Sequence, residues 1–498
     1  MTEPQIKITK LNHSQLKVIC EMDIALEISE SFKFEVKGAK FSPAFKMGRW
    51  DGFIRLFNIG SRTIGTGLFE QLIKFCSTNN YEYELIESEY GMPGDAADIS
   101  YDEVSEYMKS LNASPSGVPL VIRDYQIKGV HTALTEKNCV LLSATGSGKS
   151  FIIACIFRYI TEVLGGRCLL IVPTVGLTTQ MYNDFKDYFS STGYNVEENV
   201  HLISAGVDKN INKKIVISTF QSLKTVNKDW LNSFTCIMSD EGHKIQSDSF
   251  KTIYDAATEV PYRLACTGTL HDTKCDVLQI QALTGPVREI ALAKDLIAAG
   301  QLVPLKIKGI ILKYPDDICK AFKKVEYEDE IGWITNNKSR DKFIRNLSNS
   351  CVGTTLILFR FKEHGRNLYD IIKLSNPERK VFFIDGDIKA SEREQIRLDG
   401  NNEDCIIVAS YGVFSTGANL PAIENIIIAH PTRGGITYLQ TIGRGLRLKS
   451  GKTHCKLFDI GDNLTWKNKV NHTYRHFGER LTVLTREGYT FNLVNVQF

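Results

Sequence analysis

Residues 140–150, VLLSATGSGKS, run an aliphatic stretch into a glycine-rich turn, and the pattern SFIIACIFRYITEVL at 150–164 continues it as an apolar helix. A buried strand, a turn and a helix in that order form a phosphate-binding loop. Gly146 and Gly148 let the backbone bend so that its N–H groups and the helix N-terminus face a triphosphate. Lys149 then reaches the β- and γ-phosphates, and the Ser150 hydroxyl is a ligand for Mg²⁺. Ala144, Thr145 and Ser147 complete the loop. The strict pattern has glycine where this chain has Ser143.

Outward from this loop the same rhythm repeats. NCVLLSA, RCLLIVP, KIVIST, FTCIMSD and YRLACTG read as strands apolar on both faces, the mark of a buried parallel sheet, and GLTTQMYNDFKDYF reads as a helix between two of them. The α/β rhythm ends near Gly300 and restarts with TTLILFRF, KVFFIDG, CIIVASYG, IENIIIAHP and HCKLFDIG. Helices are expected at EHGRNLYDIIKL, ASEREQIRL and TYLQTIGRGLRL. Two consecutive parallel-sheet domains follow, of which only the first holds a phosphate loop. The expected division is a small α+β unit with an acidic linker at 1–112, sheet domains at 113–300 and 301–462, and a basic helix and short strand at 463–498.

At 498 residues, 43% hydrophobic and 23% charged, the chain is a multidomain globular protein whose net charge of +3 says little about partners. Local charge says more. Residues 33–55 carry six Lys/Arg against Glu35 and Asp51, and residues 431–498 carry eleven against four acids. Residues 82–107 hold nine carboxylates and no Lys or Arg. Basic flanks around an acidic connector suit a polyanion-binding protein. The twelve cysteines are scattered without a C-x-x-C pair, so they read as reduced core residues. Neither a signal peptide nor a membrane-length apolar run is visible, and a cytoplasmic location is expected.

Three further motifs carry chemistry. CIMSDEGH ends a buried strand with Asp240, Glu241 and His243, where Asp240 holds the metal shell and Glu241 polarises water. In TYLQTIGRGLRL, Gln440, Arg444 and Arg447 fall at i, i+4 and i+7 on one helix face, suited to arginine fingers. In IRDYQIKGV the Gln126 amide suits adenine, with Arg123 or Tyr125 beside it to stack or pair. His472 and His476 share a helix face without a third ligand, and no metal is assigned to them.

ATGSGKS, IVPTVGLTTQ, STFQS, SDEGH, ACTGTL, ILFRF, ASYGVFSTGANLP and QTIGRGLR occur in the order of the motifs of superfamily two helicases, which this chain resembles over residues 123–447. Within that superfamily it resembles the UvsW-type recombination and repair helicases of T-even-type bacteriophages, including at FSPAFKMGRWDGFIRLFN and YGVFSTG. The resemblance implies two tandem RecA-like domains between a nucleic-acid-binding N-terminal domain and a small C-terminal region, with ATP and Mg²⁺ as cofactors. It also implies that His243, Thr267, Gly268 and Thr269 couple ATP state to DNA. Pro173, Thr174, Ser218, Thr219 and Gln221 would face the nucleic-acid backbone, and Ser415, Thr416 and Gly417 would lie where both ligands meet. The implied substrates are forks, Holliday junctions, D-loops and R-loops, so branched or duplex DNA and RNA–DNA hybrids are the expected partners. Single-strand-binding protein or a recombinase is a further expected partner of a monomeric motor in the host bacterial cytoplasm. An RNA helicase and a nucleotide-gated clamp with little hydrolysis are the alternatives.

FSPAFKMGRWDGFIRLFN at 41–58 crowds five aromatic rings and three cations into eighteen positions. Asp51-Gly52 reads as a two-residue hairpin turn, with Trp50 mainly structural and Lys46, Arg49 and Arg55 at the edges as DNA contacts.

Overall fold

Burial on both faces accounts for the first sheet. Its strands are Val287–Ala291, Asn138–Ser143, Tyr262–Thr267, Cys236–Asp240, Cys168–Val172, Ile215–Thr219 and Val200–Ile203, in that spatial order and all parallel. Cys168–Val172, Ile215–Thr219, Cys236–Asp240 and Tyr262–Thr267 are buried at every position, as helix-covered parallel strands must be. The two edge strands escaped the sequence reading because VHLI and VREIA mix polar residues into short runs. The computed structural model describes residues 3–36, 38–190, 192–203, 212–224, 226–242, 248–270, 274–388, 392, 395–396, 398–399, 404–412, 423–448 and 450–498. These form two compact units, one of residues 1–143 with 147–291 and the other of 144–146 with 292–498.

Helix Lys149–Glu162 is buried from Phe151 to Thr161, which explains its nearly all-round apolar sequence. Its one buried cation, Arg158, pairs with Glu162 and lies 4.6 Å and 4.2 Å over the Phe189 and Tyr194 rings. Arg263, in strand Tyr262–Thr267, is also buried. Its guanidinium donates to the Tyr254, Ala257 and Leu283 carbonyls at 2.8, 2.6 and 3.1 Å, at or just past the last turns of helices Asp248–Ala256 and Lys274–Thr284. It thus answers carbonyls that helix ends leave without partners.

The N-terminal sheet is mixed, in the order Thr63–Gly65, Gln15–Cys20, Ile6–Lys10, Tyr83–Ile86. Alternation along Ile6–Lys10 and Gln15–Cys20 sends Ile6, Ile8, Leu16 and Val18 into one core with Ile28, Leu68 and Leu72 from the helices Met22–Ser31 and Phe69–Thr78 and the turn between them and the sheet. This domain is docked on the first sheet domain at van der Waals contact. A Cβ on Gly67 would lie 1.9 Å from the Gln281 carbonyl oxygen, and one on Gly65 2.3 Å from that of Ala282.

Three expectations are corrected. The acidic stretch is folded: Tyr83–Ile86 pairs with Ile6–Lys10, Asp95 bridges Lys10 and Lys137, and helix Tyr101–Ser110 buries Val104 and Met108 in the core of the first sheet domain. Its carboxylates line the outer face of an amphipathic element, which charge counting alone reads as solvated linker. Asp51-Gly52 is no two-residue hairpin tip, because strands Lys33–Glu35 and Phe53–Arg55 pair across an excursion at 36–52. The basic C-terminal segment has the expected helix and strand, His472–Arg486 and Phe491–Gln497, but it completes the second sheet and is no separate region. That sheet runs Lys380–Ile384, Cys405–Ser410, Thr355–Phe359, Asn425–Ile428, Cys455–Asn463, Leu305–Lys313, Phe491–Gln497, all parallel. Leu305–Lys313 was missed because lysines interrupt its start.

Among the described residues no helix is long and apolar enough to cross a membrane, and the cysteines are free thiols.

Candidate active site

Strand Asn138–Ser143 delivers the chain to the phosphate loop, and helix Lys149–Glu162 leaves it. Gly146 and Gly148 have φ of 89° and 86°, a region open to glycine, and a Cβ on Gly148 would sit 2.6 Å from Gln126 Nε2. Ser143, the departure from the strict pattern, is buried and its Oγ pairs with Ser147 Oγ at 2.7 Å. The hydroxyl that replaces glycine is therefore a brace across the loop. Lys149 Nζ donates to the Ser143 carbonyl at 3.3 Å, and Ser150 Oγ lies 2.6 Å from the Tyr188 hydroxyl.

Helix Asp124–Glu136 fastens the loop from behind. Tyr125 OH and Gln126 Nε2 both donate to the Ser147 carbonyl, at 2.9 and 3.1 Å, and Arg123 donates to Tyr125 OH at 3.1 Å. Gln126 Oε1 accepts the Arg123 backbone N–H at 3.0 Å. Both ends of the Gln126 amide are thus engaged in holding the loop, the role for which the structure gives contacts.

Asp240 closes strand Cys236–Asp240 and is buried. Burial pushes its carboxyl up to about 7, the Glu241 charge adds to the rise, and Lys149 opposes it. A divalent cation would relieve such a desolvated carboxylate, so Asp240 and the Ser150 hydroxyl fit Mg²⁺ brought in with phosphate oxygens. Glu241 adopts φ 56°, a conformation costing about 1–3 kcal/mol in a non-glycine residue, and its N–H donates to Asp240 Oδ1 at 2.9 Å. Thr267 ends the neighbouring strand, accepting the Thr269 N–H at 3.4 Å and donating to the Thr269 carbonyl at 2.7 Å across Gly268. His243 lies outside the described residues, as do Ser415, Thr416 and Gly417.

Of the other residues expected on the nucleic-acid path, Pro173 is buried, and Thr174 caps helix Val175–Phe189 with its side chain. Ser218 and Thr219 are buried, Thr219 capping Phe220–Leu223, while Gln221 is exposed. Lys46 and Arg49 are exposed, and Arg55 is paired with Asp51 at 2.7 Å and Glu30 at 3.0 Å.

In the second unit, Gln440 and Arg444 lie on helix Ile436–Gly445, but Arg447 falls two residues past its end, which corrects the single-face expectation. What fixes Arg447 is a residue the sequence reading missed. Lys452, buried, donates to the Gly445 and Arg447 carbonyls at 2.6 and 3.0 Å. A lysine shortly after a helix-ending glycine is a legible signal for this role. Tyr438 of the same helix donates to Asp459 at 2.8 Å, and Arg480 of helix His472–Arg486 grips both Asp459 oxygens at 2.7 to 3.0 Å. The C-terminal helix thereby positions the arginine helix.

The site and the tandem parallel sheets define a class, the ATP-driven helicase motors. Comparison with known proteins agrees with that class and narrows it. Residues 119–272 match the family described as type III restriction enzyme, res subunit, residues 338–449 the helicase conserved C-terminal domain, and residues 5–86 the N-terminal domain of DNA helicase UvsW. The ATP-dependent DNA helicase uvsW of Enterobacteria phage T4 is 31% identical over 481 residues, covering 95% of this chain and 93% of the relative. The crystal structure of T4 UvsW covers 99% of both chains at 28% identity and a TM-score of 0.54. The DNA 3'-5' translocase XPB2 of Sulfurisphaera tokodaii is 23% identical, covering 66% of this chain and 79% of that one. The chain belongs to the UvsW family of ATP-dependent DNA helicases.

Proposed function

We propose that this helicase uses ATP hydrolysis to remodel branched DNA, including forks, Holliday junctions, D-loops and R-loops, in recombination, repair and replication restart. The observation that carries the ATP-hydrolysis part of the reading is Asp240, a buried carboxylate at the carboxyl end of a strand, raised by burial and by Glu241 and opposed by Lys149 of the phosphate loop; likeness to the phage T4 helicase over 95% of this chain supports the DNA part. Ser150 and Asp240 would hold Mg²⁺, which would supply charge neutralisation across the phosphates. Lys149 moves from the Ser143 carbonyl to the β- and γ-phosphates. Glu241, held by its backbone conformation beside Asp240, orients the attacking water through its carboxylate. Arg444 and Arg447 act as arginine fingers, with Lys452 fixing the turn that carries Arg447.

The N-terminal domain, whose basic excursion bears Lys46 and Arg49, supplies DNA contacts away from the motor. The enzyme works as a monomer in the cytoplasm, with a single-strand-binding protein or a recombinase as partner. The test is a comparison of ATP turnover stimulated by single-stranded DNA, duplex DNA, a four-way junction and an RNA duplex. Strongest stimulation by the junction is expected; preference for the RNA duplex would overturn the DNA reading.

A further inference from the structure

The excursion between strands Lys33–Glu35 and Phe53–Arg55 is tied by backbone hydrogen bonds and carries an exposed ring. Its neck is closed by the antiparallel pairs Lys33↔Arg55 and Glu35↔Phe53 and by a hydrogen bond from the Val36 N–H to the Gly52 carbonyl at 2.8 Å. Inside it, the turn Ala39–Phe41 is held by backbone bonds from Phe41 to Gly38 and from Ser42 to Ala39, and the turn Pro43–Lys46 by bonds from Met47 to Pro43 and from Arg49 to Ala44, all at 2.9 Å. Phe45 packs inward, close enough that a Cβ on Gly52 would lie 3.2 Å from its ring and from Ala39, and Trp50 Nε1 donates to the Phe53 carbonyl at 2.8 Å. Three of the five rings in this stretch, Phe45, Trp50 and Phe57, are thereby committed to the fold, Phe57 in the N-terminal core. Phe53 is covered by Lys33, 4.6 Å over its face.

Phe41 is different. It is 81% exposed, while no other described aromatic side chain exceeds the 43% of Phe361, and Met47, six residues on in the same excursion, is 63% exposed. A single exposed apolar side chain is ordinary. Here a ring and a thioether share a braced platform with exposed Lys40, Lys46 and Arg49, and residues 36–50 contain no carboxylate. Arg55, by contrast, is neutralised by Asp51 and Glu30. Cations suffice to hold duplex phosphates. An exposed π-face finds a partner only where a base has left the stack, as in single strands and at branch points.

We propose that Phe41 is a stacking platform for an unpaired nucleobase at a DNA branch point, with Lys40, Lys46 and Arg49 of the same excursion on the adjoining phosphates. This rests on the reading of the N-terminal domain as a DNA contact and adds the chemistry it recognises. The test uses the full chain and a forked DNA whose first unpaired base is 2-aminopurine, against a blunt duplex of the same length. The wild type quenches the probe. Phe41→Ala loses the quench and roughly ten-fold of fork affinity, with the salt slope retained, whereas Phe41→Trp keeps both. Lys46→Ala with Arg49→Ala weakens fork and duplex together and flattens the log–log salt slope by about 1.8. If Phe41→Ala keeps quench and affinity while the double variant flattens the slope, the stacking role is overturned, the result a protein-binding role for the ring would give, and the basic grip stands. If the double variant also leaves the slope unchanged, the DNA reading of the excursion falls with it.

Discussion

Two residues show how a single side chain can stand outside its pattern for a physical reason. Ser143 replaces a loop glycine and uses its hydroxyl to brace Ser147. His430 is fully buried in the second unit, neither ring nitrogen has a hydrogen-bond partner among the described residues, and Phe361 meets it edge-on at 4.9 Å. Burial drives its pKa down to about 2, with the charges of His364, Arg340, Arg360 and Arg480 adding to the fall. The folded chain therefore keeps His430 neutral where the unfolded chain, near 6.5, takes up a proton, so stability drops as pH falls below 6.5. Between pH 6.5 and 5 this amounts to about 2 kcal/mol at full effect. Urea unfolding of the second unit at the two pH values should show that loss in the wild type and a smaller one in His430→Leu; equal losses would contradict the assignment.

At the scale of elements, two contacts carry the architecture that serves the site. Gly67→Ala forces a Cβ into the Gln281 carbonyl of helix Lys274–Thr284, and a loss of about 1–3 kcal/mol is expected from thermal melting of the first unit. An unchanged melting temperature would mean that the docking yields at no cost. Tyr438→Phe removes one hydrogen bond to Asp459 and leaves Arg480 in place, at a cost of about 1.5–3 kcal/mol. If the network positions the arginine helix for the transition state, kcat falls several-fold with little change in KM for ATP, and a change confined to KM would contradict it. The sheet strands and the phosphate loop were legible because long apolar runs ending in a glycine turn have few other readings. Asp459, Arg480 and Glu330 were not, since the partners that make a buried charge tolerable lie far along the chain: Glu330 receives the N–H groups of His472 and Thr473 at 3.0 and 2.7 Å. The acidic helix Tyr101–Ser110 was hidden for a related reason, two buried apolar residues beside three carboxylates in an acidic stretch.

For the whole molecule, the C-terminal segment is part of the motor. Strand Phe491–Gln497 pairs with Leu305–Lys313, and helix His472–Arg486 holds Asp459 beneath the arginine helix. The N-terminal domain is likewise fastened to the first sheet domain by the close contacts at Gly65 and Gly67 and by the Arg288 bridge to Glu70. Residue order alone marked both as appendages, because contacts between segments so distant in sequence leave no local trace. The central claim is that hydrolysis at this site drives the remodelling of branched DNA. Its most direct test follows ATP turnover and fork remodelling together in the wild type and in Glu241→Gln. Junction-stimulated turnover coupled to remodelling is expected in the wild type, and retained ATP binding with both activities lost is expected in the variant. Undiminished turnover in Glu241→Gln, or remodelling that continues without ATP hydrolysis, would contradict the account.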